Sequence, residues 1–458
     1  MLIDEGSGGG VVTAPELPPD KNTSMLRILL SFTWMVAVFL SLFQPKQFNY
    51  FAPGLGWYYP QDILFASLAF CYLISRRRIP EIPRSIFRIY LLFAVFSLVY
   101  LLTSIISVFI LPSVDFDQMI NGVARILLQY LIGPPLILCS LHFLFAGRKT
   151  QALRSFLVPS IVAGLIFIAG ILLFLIPGNS PMPSGIREEI LSQSWVQIGN
   201  ISLFVPKWGA TFAETQALGL FFFLSFLLTD IYAQRTPDAN KSYYVTTITY
   251  FTLILFTASK GVLIGICIYF LLRNGRHLQL KAAALFLSLI LGMYYVVHRV
   301  IDDPASFLES ALSYHSLDER SFHALYFFKQ CAEHPIWLLI GDGARQDGQM
   351  ISRDYPQAFT HLTNPVSMFA VVTDSGLIGL GSYLAILVGV WLLARGFRER
   401  LAIASAFVAN LWQPDWSMDC YILFMLIIAV SRCDIQLERV GTGPVRRSLP
   451  ATQMDTIP

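Results

Sequence analysis

Charge is what this sequence has least of. Asp, Glu, Lys and Arg make up 13% of its 458 residues, against about 25% in an ordinary soluble domain, which excludes a string of soluble domains. A basic face is missing too: the formal net charge is only +3, and the cations are scattered between apolar runs, which excludes nucleic acid as a partner. The six cysteines show no disulfide framework and no metal-ligand spacing. Four lie in or beside apolar runs, Cys433 follows the last run, and Cys331 falls in a long polar stretch. The first 24 residues, with Gly-Ser-Gly-Gly-Gly and Pro-Glu-Leu-Pro-Pro, lack the charged-then-apolar order of a cleavable signal peptide and read as disordered. No internal repeat stands out, which weakens a transporter reading.

What remains is apolar almost from end to end: 55% of residues are hydrophobic, 14% aromatic. Twelve apolar runs follow one another between residues 26 and 430, several shorter than the roughly 20 residues that cross the hydrocarbon upright. The fold class they predict is all-α, a polytopic membrane helix bundle with about 12 transmembrane helices and a large helical outer loop. Every second loop is basic, among them the loops holding Arg76 to Arg78, Arg148 with Lys149, Arg273 with Arg276, and Arg395 with Arg398. The positive-inside rule then puts both termini in the cytoplasm. The predicted organisation is a cytoplasmic stretch over residues 1–24, a membrane domain over 25–431 with outer loops at 177–211 and 299–360, and a cytoplasmic tail over 432–458.

Chemistry-bearing residues gather near the predicted outer ends. Ser316-Leu317-Asp318-Glu319 has the form of a capping box, which gives Glu319 a structural reading. Arg320 sits in the same first turn, where a cation opposes the helix dipole. Either an anionic ligand at that helix end accounts for it, or it pairs with Asp318 or Glu319 at the surface. Downstream come Gly341-Asp342-Gly343 and then Thr360-His361-Leu362-Thr363-Asn364-Pro365. Asn364 and Pro365 read as N-cap and N1 of a helix running to Asp374 and stopping at Gly376. His361 lies just outside it, where an imidazole can take a proton from a sugar hydroxyl. Ser259-Lys260-Gly261 breaks two apolar runs; Lys260 either snorkels to lipid phosphates or lines a pocket for pyrophosphate. Arg125, near the outer start of a run, carries the same ambiguity. Lys207 and Glu214 flank a predicted helix entry.

As an ordered set, these segments resemble the O-antigen ligase and polymerase family of bacterial membrane glycosyltransferases. The counterparts are Lys207 to Phe212, Ser259-Lys260-Gly261, Glu319-Arg320, Gly341-Asp342-Gly343, His361 with Asn364, and Asp374-Ser375-Gly376-Leu377-Ile378-Gly379. The resemblance covers roughly residues 206–393. Lys207 and Lys260 stand where the family has arginine, and the family's histidine position falls at Pro365, with His361 earlier in the chain. The resemblance implies a metal-independent enzyme of the bacterial inner membrane, with no cofactor, its large loop in the periplasm, acting on an undecaprenyl-pyrophosphate-linked oligosaccharide donor and a glycan acceptor. It implies His361 as base, with Arg320, Lys260, Arg125, Lys207, Glu319 and Asn364 binding pyrophosphate or glycan. Expected partners are membrane lipids and other polysaccharide assembly proteins. Polymerisation of repeat units is the expected reaction, transfer to a lipid core is the alternative, and a lipid-linked glycan flippase is the reading from another class.

Overall fold

A computed structural model describes residues 21–41, 60–76, 84–110, 114–145, 149–175, 191–198, 201–208, 215–236, 240–257, 259–274, scattered positions over 279–301, then 316–344, 346–355, 367–394, 396–411 and 418–441. Apolar runs become helices because lipid offers the backbone no hydrogen-bond partner. In chain order they are α1 (Lys21–Leu40), α2 (Pro60–Arg76), α3 (Arg84–Ile110), α4 (Phe116–Ile126), α5 (Gly133–Leu144), α6 (Leu157–Leu175), α7 (Thr215–Arg235), α8 (Asn240–Thr257), α9 (Lys260–Leu272), α10 (Ser316–Glu333), α11 (Ile336–Ile340), α12 (Asp347–Asp354), α13 (Ser367–Leu393), α14 (Phe397–Leu411) and α15 (Met418–Gly441). The described positions between 279 and 301 are helical as well.

Five described helices are long and apolar enough to cross a membrane: Ile86–Ile110, Met119–His142, Gln151–Ala169, Ala217–Arg235 and Phe369–Leu393. The chain is a multi-pass membrane protein. Four further apolar helices, Ile28–Leu40, Tyr243–Thr257, Gly261–Leu272 and Cys420–Arg432, are shorter. At 1.5 Å per residue α3 is about 40 Å long, ample for a hydrocarbon layer of about 30 Å. Burial sorts the helices. From Leu218 to Leu228 every residue of α7 is buried, as is every residue of α15 from Cys420 to Ser431, the mark of helices at the centre of a bundle. By contrast α3 exposes Phe87, Leu91, Val95, Leu98, Leu102 and Ile105, an apolar stripe at three- and four-residue spacing that suits contact with lipid.

The span Met119–His142 is one continuous path through α4, a π-helical segment Leu127–Ile132 and α5. Its wide turn precedes Gly133-Pro134-Pro135, where proline withholds the amide that a regular α-helix would use. Tyr130 of this segment lies edge-on to Phe96 of α3 and Tyr383 of α13, tying three elements together.

Three expectations change. The chain is not wholly α-helical: a two-stranded antiparallel hairpin, β1 (Leu191–Ile198) with β2 (Ile201–Trp208), falls in the stretch expected as the first outer loop, pairing Ile198 with Ile201 and Ser192 with Lys207. Gly199-Asn200 separates two alternating runs, a two-residue hairpin signal the sequence carried. Helix α1 opens at Lys21, inside the stretch read as disordered, and α15 runs on to Gly441, into the stretch read as tail. Cys331 lies not in an open polar loop but buried in α10.

Candidate functional site

Two polar centres occupy opposite ends of the bundle. Gly376, at one of them, is separated from Ala394 at the other by a stretch of α13 about 27 Å long at helical rise.

At the first, the loop helix α10 is joined to the membrane helices through a reciprocal glycine contact. Helix α11 ends at Gly341, whose φ of 76° is open to glycine at little cost, and α13 breaks at Gly376, φ 64° and ψ −162°. A Cβ on Gly341 would sit 2.4 Å from the Thr373 carbonyl oxygen, and one on Gly376 2.3 Å from the Leu339 carbonyl. Each glycine thus permits the other's backbone to approach. Two hydrogen bonds close the seam: the Asp342 amide donates to the Thr373 carbonyl at 2.7 Å, and the Gly343 amide to that of Asp374 at 3.2 Å.

Helix α3 supplies the third wall. Ser97, Tyr100, Ser104 and Ser107, spaced at helical intervals, form a buried hydroxyl stripe. The Tyr100 hydroxyl donates to the buried Asp374 carboxylate, the Ser104 hydroxyl accepts the Ala344 amide at 3.3 Å, and a Cβ on Gly343 would meet the Ser107 oxygen at 2.1 Å. The buried Gln346 side chain accepts the Asp115 amide at 3.0 Å and donates to the Asp115 carbonyl at 3.1 Å. Asp342 is fully buried. Burial, and then the negative charge of Asp342, push the Cys331 thiol up to about 11, so it stays protonated at neutral pH. A satellite apolar core of Phe322, Tyr326, Phe327, Trp337, Ile351 and Val372 packs α10, α11 and α12 onto α13. The Tyr326 hydroxyl donates to Asp354 at 2.7 Å. This centre positions the helix that carries Glu319 and Arg320.

The expected site residues are described to different extents. Glu319 and Arg320 stand in the first turn of α10, which opens at Ser316 as the capping pattern predicts. Lys260 opens α9 after the extended residue Ser259, at the break expected between two apolar runs. The side chains of Glu319, Arg320 and Lys260 lie outside the described residues, as do His361 and Asn364 altogether. Arg125 is half-buried in the last turn of α4, inside the span Met119–His142. Lys207 belongs to β2, and α7 opens only at Thr215, so Lys207 does not stand at the helix entry itself. Gly376 interrupts α13 where the stop was expected, although helical geometry resumes and continues to Leu393. Sequence reasoning missed the α3 stripe. The signal was there: hydroxyl residues recurring three and four positions apart inside an otherwise apolar span.

The second centre is ionic. Asp230 of α7, buried, accepts from the Tyr243 and Tyr269 hydroxyls, from Gln234 at 2.6 Å and from Arg273 at 2.7 Å. Glu399 of α14 binds Arg235 at 2.9 Å and Arg432 through its Nε at 2.6 Å. Arg235 also donates to the Ser431 carbonyl at 3.2 Å, and Arg154 lies 5.3 Å over the Tyr232 ring. Both carboxylates are met by cations and further hydrogen-bond donors, the partners that burial of an acid requires. This centre binds α7, α8, α9, α14 and α15 together.

No protein-family model matches the chain, and no curated protein matches its sequence.

Proposed function

We propose that this membrane protein is a glycosyltransferase that polymerises undecaprenyl-pyrophosphate-linked oligosaccharide repeat units of a surface polysaccharide at the outer face of the bacterial inner membrane. The observation that supports this reading best is the seam between Gly341-Asp342-Gly343 and Thr373-Asp374-Ser375-Gly376. Two separate segments that carry the resemblance to the O-antigen ligase and polymerase family meet there through backbone contacts that only glycine allows.

On this reading the donor's pyrophosphate is already an activated leaving group. The acceptor hydroxyl attacks the anomeric carbon, the anomeric C–O bond breaks, and the lipid pyrophosphate departs with the electron pair. His361 takes the hydroxyl proton, and Arg320, Lys260, Arg125 and Lys207 offset the charge on the departing pyrophosphate. Glu319 and Asn364 orient the glycans. Transfer of the glycan to a lipid core is the alternative within the same chemistry.

The test is reconstitution of the full chain in liposomes with a lipid-linked oligosaccharide donor, read by mass spectrometry of the products. Polymerisation predicts a ladder of lengthened glycans on the carrier. Product found only on an added lipid core would replace polymerase by ligase. Donor that crosses the bilayer with no new glycosidic bond would contradict glycosyl transfer and favour a flippase.

A further inference from the structure

Between the two ion-pair hubs of the arginine end lies a cavity of about 630 Å³, lined by Gln234, Arg273, Asn274, Gly396, Phe397, Arg398 and Glu399. That volume is in the range of sites that hold small molecules. Its electrostatics are one-sided. Among the described residues around it, Arg235, Arg273, Arg398, Arg400 and Arg432 meet only two carboxylates, Asp230 and Glu399. Glu399 lines the cavity, but Arg235 and Arg432 both bind it, so its charge is more than offset. Arg273 keeps Asp230 and the Tyr243 hydroxyl as partners, and Arg400 donates to the Ala394 carbonyl at 3.0 Å. Arg398 makes no hydrogen bond or ion pair with a described residue.

An arginine held half-buried beside a roomy cavity, with no described carboxylate to answer it, is an anion receptor by its chemistry: a planar fork that matches phosphate oxygens. Asn274 and Gln234, in the same lining, add neutral donors. The surroundings indicate what bears the phosphate. Phe397 at the rim is exposed, and so are Trp391 and Leu392 in the last turn of α13 just before it, an apolar approach that suits acyl chains. The basic loops of the sequence mark this end as cytoplasmic, where anionic lipid headgroups concentrate and basic pockets between helices bind them. We infer that this cavity binds a phosphate group, with Arg398 as its principal contact and an anionic phospholipid headgroup as its source. The site is separate from the glycosyl-transfer reading and stands or falls independently of it.

The experiment uses the full chain purified in detergent and delipidated, with bound lipid read by native mass spectrometry. Dioleoyl-phosphatidylglycerol, dioleoyl-phosphatidylcholine and inorganic phosphate are the probes. Phosphatidylglycerol is expected to be retained several-fold more than phosphatidylcholine. Arg398→Gln should cut that retention by about fivefold, in line with about 1 kcal/mol per basic residue, whereas Arg398→Lys should keep at least half of it. Competition by millimolar inorganic phosphate would assign the site to free phosphate instead of lipid, leaving the phosphate chemistry intact. Asn274→Leu, in the cavity lining, is the second variant, expected to lower retention should Arg398→Gln fail to fold. Equal retention of the two lipids, or unchanged retention in every folded variant, overturns the proposal.

Discussion

The two ends of this bundle solve the same problem, burying acids among apolar helices, in different ways. At the arginine end, Asp230 and Glu399 are tied by Arg273, Arg235 and Arg432, and the helices are joined through side chains. At the loop-helix end, Asp374 takes a phenol hydroxyl from Tyr100, and the joint is made by backbone seated on backbone at Gly341 and Gly376. Side-chain ion pairs tolerate adjustment of a few tenths of an ångström, since long side chains swing. Backbone contact through glycine does not. The contrast assigns the arginine end to holding the bundle and the loop-helix end to setting the geometry of α10.

If that division is right, the largest loss of stability comes from the arginine end. Asp230→Ala strands the Arg273 guanidinium and two tyrosine hydroxyls inside the protein, a change of about 3–5 kcal/mol for breaking a buried pair. Thermal unfolding in detergent should show it, and Asp230→Asn, which keeps an acceptor, should cost less. Retention of the wild-type midpoint in Asp230→Ala would remove the hub from the scaffold.

Next in size is the glycine seam. Gly341→Ala must hold a side chain at positive φ with its Cβ 2.4 Å from a carbonyl oxygen, costing about 1–3 kcal/mol from the backbone conformation alone and more from the clash. The expected outcome is a folded bundle in which α10 exchanges amide hydrogens faster, with product formation lost. Unchanged exchange in α10 would mean that the seam does not anchor the loop helix. Tyr100→Phe leaves Asp374 without the hydroxyl donor and should cost about 1–3 kcal/mol, again concentrated at the loop-helix end.

The smallest effect is on acidification. The Tyr326 hydroxyl, and Arg353 beside it, hold the Asp354 carboxyl below its ordinary value. A carboxyl lowered in the folded state contributes stability above the ordinary carboxylate range and loses it as pH falls through the lowered value. Hydrogen exchange across α10 and α12 at pH 7 and pH 3 should reveal a small acid loosening that Tyr326→Phe abolishes. Because Asp354 is well exposed, solvent screens the contribution, and a large effect would point to another group.

Much of the membrane architecture was legible because lipid leaves the backbone few options. The apolar runs fall on helices wherever they are described, and the capping pattern at Ser316 and the break at Gly376 follow local rules. The hairpin β1–β2 is hard to read because its alternating runs lie in a stretch of low hydropathy between apolar helices. Less legible were the buried polar partners. Tyr100 and Asp374 lie 274 residues apart, and Arg235 and Glu399 lie 164 apart; nothing in a single sequence pairs them. The hydroxyl stripe on α3 was visible as a pattern, but its meaning depended on which helix packed against it. Cys331 falls in a polar stretch of the sequence, whereas one face of α10 is apolar enough to bury it against α13.

The most direct test of the account's central claim, that chemistry belongs to the end where α10 docks, is the rate of glycan lengthening in liposomes by Arg320→Lys, at folded amounts matched to wild type. A guanidinium gripping pyrophosphate with two parallel bonds becomes a point charge in lysine. The predicted result is a loss of at least tenfold with thermal stability unchanged. Near-normal lengthening by both Arg320→Lys and Arg320→Ala would contradict the account and move the reacting centre away from the loop helix.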